Sequence, residues 1–377
     1  MHIITSKYIF INNQLTENKA ILIDNNQIID IINKDSLANL HQPIKDYGNG
    51  VITPGFIDLQ LNGCGGVLFN DDISFGTLET IYQTCLRFGT TQFLPTLITS
   101  PINDIFSALD LVKAWFEQYG NNRGVIGIHL EGPFISKDKK GIHPDEFIIA
   151  PNDDILKKIV SYTKYFPIKM TIATEVFTTS QIKFLAQNKI ILSQGHSNAS
   201  YEESIAGFNA GIKTVTHAFN AMSGLTGRNP GVIGAVLNSK IYAGIIVDLL
   251  HVDPANVELI NKNKPNQVYL VTDAVTPTGT NMTTFNFAGK ELFVKDGKCI
   301  DKDGTLGGAN LTLNDAIKYC VNKCNISLVD ALKMASEIPA QLMQLDTLGK
   351  IAPNCHASLI YMDLITFECK VCTNLIN

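Results

Sequence analysis

The sequence predicts an α/β fold, a (β/α)8 TIM barrel with a small β-sandwich domain formed from both chain ends. Three features point there. Eight apolar runs of strand length alternate with helical segments between Val51 and Asp273, which is the pattern of a barrel of roughly 250 residues. The competing open sheet would want a glycine-rich phosphate turn after an early strand, and Asn62-Gly63-Cys64-Gly65-Gly66 lacks GxGxxG spacing. Short extended runs occupy the first 50 residues and return after Gly349.

Taken in order, residues 1–50 carry the runs Ile3–Ile4, Tyr8–Ile11, Ala20–Ile23 and Ile28–Ile32. Asn25-Asn26 joins the last two as a hairpin, because Asn tolerates the positive φ that a tight turn needs. From Val51 the barrel strands are expected to end near Leu61, Leu97, Glu131, Glu175, His196, His217, Asp248 and Asp273. Ser100 reads as an N-cap with Pro101 at the first helical position, and Gly120 closes the same helix. Ser200 with Glu203 is a capping-box pair, and Gly211 ends that helix. Residues 276–308 alternate apolar and polar side chains around Lys295-Asp296-Gly297-Lys298, a β-hairpin insertion after the last barrel strand. Helices follow at Leu311–Lys323 and Leu328–Leu345, the second preceded by Ser327. The expected domains are 1–50 plus 349–377 for the sandwich and 51–348 for the barrel.

Composition excludes several classes. With 45% hydrophobic and 17% charged residues the chain reads as an ordinary soluble protein. No run approaches the roughly 18 continuous apolar residues of a membrane span. The N-terminus lacks the basic region and cleavage site of a signal peptide, so the expectation is cytoplasm. A net charge of −5 argues against a nucleic-acid surface. Eight cysteines are too sparse for a secreted disulfide scaffold and read as reduced thiols. Cys369 and Cys372 have CxxC spacing but sit in a terminal strand with no second pair nearby, which favours a structural role.

Chemistry concentrates first in Val125–Phe134, VIGIHLEGPF, an apolar strand that ends in a carboxylate. His129 and Glu131 stand two apart and so point to the same side. A buried carboxylate needs a cation, hydrogen bonds or water; Glu131 is therefore either a solvated strand end or a metal ligand. Aligning the strands brings Glu131 (strand three), His196 (five), His217 (six) and Asp273 (eight) to one barrel mouth. Two imidazoles and a carboxylate can bind a divalent metal with a position left open for water. Such a metal lowers the pKa of water and polarises a carbonyl, and Asp273 could serve as general base and then acid.

The ordered motifs PGFIDLQLNGCGG (54–66), HLEGPF (129–134), GHS (195–197), THAFNAM (216–222) and VTDA (271–274) span nearly the whole chain. In them the sequence closely resembles the N-acetylglucosamine-6-phosphate deacetylase family of the amidohydrolase superfamily. The resemblance implies hydrolysis of the acetamide of N-acetylglucosamine 6-phosphate to glucosamine 6-phosphate and acetate, in amino-sugar catabolism and recycling. It implies Glu131, His196 and His217 as metal ligands, Asp273 as catalytic acid and base, and His143 as a group that binds and polarises the acetamide carbonyl. It places the sugar phosphate near Asn220 and Ala221, with Arg228 and His251 contributed by the second subunit of a homodimer. No nucleic-acid or membrane partner is implied. On residue type alone, His143 and Arg228 would read as ordinary loop residues.

The sequence departs from the superfamily pattern at two places. Gln60-Leu61-Asn62 stands where most members have His-x-His, and a neutral amide is a poor transition-metal ligand. One divalent ion per subunit is therefore expected, zinc being the best match to two imidazoles and a carboxylate, with iron, manganese or cobalt able to use the same ligands. In the tail, Asn354 and Ser358 replace the glycine and aspartate of the usual GxIxxGxxADL, away from the metal. A dihydroorotase-type cyclic amidase is disfavoured by the absent His-x-His and by Ala173-Thr174-Glu175 where a bridging carboxylated lysine would stand. A catalytically silent barrel is disfavoured because all four strand-end groups are present.

Overall fold

The computed structural model describes residues 1–121 and 123–373; the last four residues of the expected tail lie outside that range. Eight parallel strands form the central sheet in sequential order: β1 (Phe56–Leu61), β2 (Thr90–Ile98), β3 (Ile128–Glu131), β4 (Ile168–Ile172), β5 (Ile190–Gln194), β6 (Thr214–Val215), β7 (Tyr242–Ile245) and β8 (Val268–Leu270). A parallel bridge from Leu61 to Ala274, with Asp273 N–H donating to the Gln60 carbonyl oxygen at 2.9 Å, brings the last strand back to the first. The result is a near-closed (β/α)8 barrel. Strands β1 to β5 are buried along their whole length, as expected for parallel strands covered by helices.

The barrel interior is polar at its centre. His129, two residues before Glu131, bonds Thr96 through Nδ1 at 3.1 Å and Thr171 through Nε2 at 2.7 Å. Thr171 and Ser193 each meet the Thr216 hydroxyl at 2.6 Å. This chain of hydroxyls satisfies the buried imidazole, which otherwise would be costly. Burial, reinforced by the Lys169 charge, holds His129 well below its usual pKa, so it is a neutral link rather than a charge.

A second body comes from both ends. Sheets of four strands (order 27–33, 19–24, 2–5, 44–46) and five strands (order 369–371, 359–362, 51–54, 8–11, 14–16) share a core of Ile4, Ile9, Ile21, Ile28, Ile52 and Leu359. The run VITPGFIDLQL is therefore two strands rather than one: Val51–Pro54 pairs with Leu359–Met362 and Tyr8–Ile9 in the sandwich, and only Phe56–Leu61 enters the barrel. The 276–308 segment is larger than a hairpin. It forms four antiparallel strands (284–287, 290–295, 298–300, 306–309), the first three joined by two-residue turns, Ala288-Gly289 and Asp296-Gly297, with positive φ at both positions of each.

Helix boundaries follow the capping chemistry with two exceptions. The capping box of Ser200 and Glu203 is present, and Gly211 ends that helix at φ 130°. Pro101 is itself the N-cap of Ile102–Tyr119, because the Ser100 hydroxyl donates back to the Ile98 carbonyl oxygen at 2.8 Å. The segment after Ser327 breaks at Ser336 into helices 328–335 and 337–342; Pro339, lacking an N–H, belongs in the first turn of a new helix rather than in the interior of a long one. No helix among the described residues is long and apolar enough to cross a membrane.

The Ser200 cap starts the helix that follows His196. Ser200→Ala is expected to lower stability by about 1 kcal/mol, read as a lower urea midpoint with unchanged slope.

Candidate functional site

At the C-terminal ends of the strands lies a cavity of about 340 Å³. Its lining includes Glu131 from the end of β3, His196 and His217 from the turns after β5 and β6, Asp273 after β8, and His143 from the 137–147 loop. The insertion supplies a wall through Phe287, Leu306 and Gly308. His196, His217 and Asp273 all adopt left-handed backbone, with φ of 47°, 32° and 52°. Such conformations cost non-glycine residues about 1–3 kcal/mol each and cluster where geometry serves a site.

The donor atoms converge tightly. Glu131 Oε1 lies 3.2 Å from His196 Nε2 and 3.1 Å from His217 Nε2, and the two imidazole nitrogens are 3.0 Å apart. All three residues are buried. Bonds of about 2.0–2.1 Å to a tetrahedral zinc would space its ligands at roughly 3.3 Å, so this triangle fits one small cation. His196 supports that fit through its other nitrogen: Nδ1–H donates to the Lys139 carbonyl oxygen at 2.8 Å, leaving Nε2 with a free lone pair. Donor atoms of Glu131, His143 and His196 also lie within 4.8 Å of one another, so His143 stands as a rival third ligand to His217.

Glu131 and Asp273 are joined by amides. Gln60 Nε2 donates to Glu131 Oε1 at 3.0 Å and to Asp273 Oδ1 at 3.2 Å, and Asn62 Nδ2 donates to Asp273 Oδ1 at 2.7 Å. This is a use for Gln60 and Asn62 that their residue types alone did not disclose. Burial alone would raise the Glu131 carboxyl, but the His196 and His217 imidazoles, which donate to it when their Nε2 atoms carry protons rather than a cation, outweigh burial and hold it well below the usual range. Asp273 is pushed up to about 6, first by desolvation and then by the neighbouring Glu131 charge. Burial holds His143 well below the usual imidazole value.

The residues expected around a phosphate divide. Asn220, Ala221 and His251 line the cavity, and His251 Nδ1 is paired with Asp248 Oδ2 at 2.6 Å. His251 thus lines the pocket of its own chain. Its position after β7 is what brings it there. Arg228 is exposed in the loop 224–229 and is not part of the lining.

The amidohydrolase family model matches residues 51–375. The chain belongs to the amidohydrolase family. Members of this family are metal-dependent, in keeping with the buried carboxylate and imidazoles. Among amidohydrolase relatives, N-acetylglucosamine-6-phosphate deacetylase of Haemophilus influenzae is 39% identical, the match covering 90% of this chain and 89% of the relative. N-acetylgalactosamine-6-phosphate deacetylase of a Shewanella species is 36% identical over 84% of this chain and 80% of the relative. The crystal structure of N-acetylglucosamine-6-phosphate deacetylase from Pasteurella multocida superposes with a TM-score of 0.93 at 38% identity, covering 98% of this chain and 96% of that one.

Glu131→Gln keeps the size of the side chain but removes the charge at the centre of the triangle. Metal affinity is expected to fall by more than about 10-fold, measured by competition with a chromogenic chelator.

Proposed function

We propose that the protein hydrolyses the acetamide of N-acetylglucosamine 6-phosphate to glucosamine 6-phosphate and acetate. The observation that carries the chemistry is the buried Glu131–His196–His217 triangle with Asp273 held beside it by amide donors. The substrate follows from likeness to the Haemophilus and Pasteurella proteins. The galactosamine epimer is the second reading, favoured by the Shewanella relative.

In this reading Glu131, His196 and His217 hold one divalent ion per subunit, zinc by ligand preference. When bound, the ion supplies Lewis acidity that activates water and polarises the acetamide carbonyl. Asp273 accepts the proton of the attacking water as the new C–O bond forms. His143 donates a hydrogen bond to the oxygen on which negative charge develops. Asp273 then returns the proton to the amine nitrogen as the C–N bond breaks, so one carboxylate serves as base and then acid. Gln60 and Asn62 direct N–H groups at Asp273 Oδ1, which fixes its orientation for both transfers. Asn220, Ala221 and His251 receive the phosphate end. Arg228, exposed on the 224–229 loop, is assigned to the neighbouring pocket of a homodimer by the family resemblance. Eight free cysteines suit a reducing compartment, and the cytoplasm is where we place the enzyme.

Acetate release from each phosphosugar epimer, with and without chelator, tests the reading directly; turnover of neither would overturn it. Asp273→Asn is expected to retain fold and metal but lose about 10²–10⁴ in kcat. The base must be ionised, so activity is present above its pKa and falls as pH drops through it. Because the bound cation favours the carboxylate, the acid limb of kcat/KM should bend at or below pH of about 6. A limb that bends well above this value would point to a different base.

A further inference from the structure

Strand β2 ends at Ile98, and the next residue, Thr99, is buried against His143. Thr99 Oγ1 lies 2.8 Å from His143 Nδ1, and the Thr99 backbone N–H donates to that same nitrogen at 3.4 Å. A backbone N–H can only donate. A proton on Nδ1 would therefore set N–H against N–H and strand a buried donor. Nδ1 is the acceptor, and the ring carries its proton on Nε2.

Thr99 is held in place on both sides. Asn70 Oδ1 accepts from the Ile98 N–H at 3.1 Å, while Asn70 Nδ2 donates to Ser100 Oγ at 2.9 Å and to the Ile98 carbonyl oxygen at 3.4 Å. Gly132, next to Glu131, leaves room for the hydroxyl: a Cβ there would sit 2.2 Å from Thr99 Oγ1.

The neighbouring ring shows the opposite arrangement. His143 and His196 have centroids 4.3 Å apart, yet the backbone group behind Nδ1 is a carbonyl for His196 and an N–H for His143. One ring is thereby left with an Nε2 lone pair, suited to a metal. The other is left with an Nε2–H, suited to an oxygen. This matters because His143 stands close enough to Glu131 and His196 to compete as a ligand.

We propose that Thr99 is a positioning residue that fixes His143 in the Nε2–H tautomer, so that His143 donates to the acetamide oxygen instead of joining the metal ligands. The kinetic part of this inference rests on the deacetylase reading above; the tautomer does not.

Two measurements on the full-length, zinc-loaded protein test it. Long-range ¹H–¹⁵N correlation with ¹⁵N-labelled histidine, assigned by comparison with His143→Gln, should show His143 Nδ1 unprotonated and Nε2 protonated. The reverse tautomer would overturn the proposal even if no acetate were released. In kinetics, Thr99→Val removes the hydroxyl at nearly constant volume and should lower kcat about 10–100-fold with KM and zinc content little changed. Thr99→Ser should recover most of that loss. In a His143→Gln background the Thr99→Val change should have no further effect on kcat, since two residues acting as one unit are not additive. An equal factor in both backgrounds would mean that Thr99 acts on packing alone and would overturn the assignment.

Discussion

The site depends on one constraint: a carboxylate, Glu131, is buried at the end of an interior strand and must be compensated there. An isolated charge in that place would not survive folding, and the chain answers it with two imidazoles at 3.1–3.2 Å and a glutamine amide at 3.0 Å. Each compensating group comes from a different strand end, so the carboxylate can be satisfied only once the barrel is closed. The left-handed backbone at His196, His217 and Asp273 is the local cost of aiming those side chains inward. Removing His196, His217 or Gln60 leaves the buried Glu131 charge with fewer partners, which couples the integrity of the site to the fold that assembles it.

Much of this was legible in the sequence because strand periodicity and strand-end chemistry coincide. The apolar runs before Glu131, His196, His217 and Asp273 set both the barrel order and the positions of the four polar groups, and the parallel register brings them to one mouth. Capping was legible where side chain and backbone agree, as at Ser200 and Glu203. It failed at Ser100, whose hydroxyl finds a carbonyl oxygen behind it instead of a helix N–H ahead. The run from Val51 to Leu61 misled because it reads as one extended segment across Pro54-Gly55; only pairing with Leu359–Met362, some three hundred residues away, reveals that its first part belongs to another sheet. Such long-range pairing leaves no local trace.

Thr99 and Asn70 were invisible for a related reason. Neither belongs to a motif, and a threonine next to a strand end reads as ordinary β-propensity. Their role lies in which backbone group faces a ring nitrogen. The same holds for Gln60 and Asn62: residue type predicted that they would be poor ligands, but not that their N–H groups would span Glu131 and Asp273. Gln60 Oε1 and Asn62 Oδ1 are buried without partners, so the amides meet the carboxylates as donors at some cost to their own acceptors. Two carboxylates held by amide N–H groups accord with the single-ion site proposed above.

The position of the metal decides how these residues divide their roles. Anomalous diffraction from crystals of the active protein, recorded at the absorption edge of its bound metal, locates every ion and its ligands. One peak bonded to Glu131, His196 and His217, with Gln60 and Asn62 still facing Asp273, is the predicted result. A second peak between Asp273 and those amides, or a single ion bonded to His143 in place of His217, would contradict it.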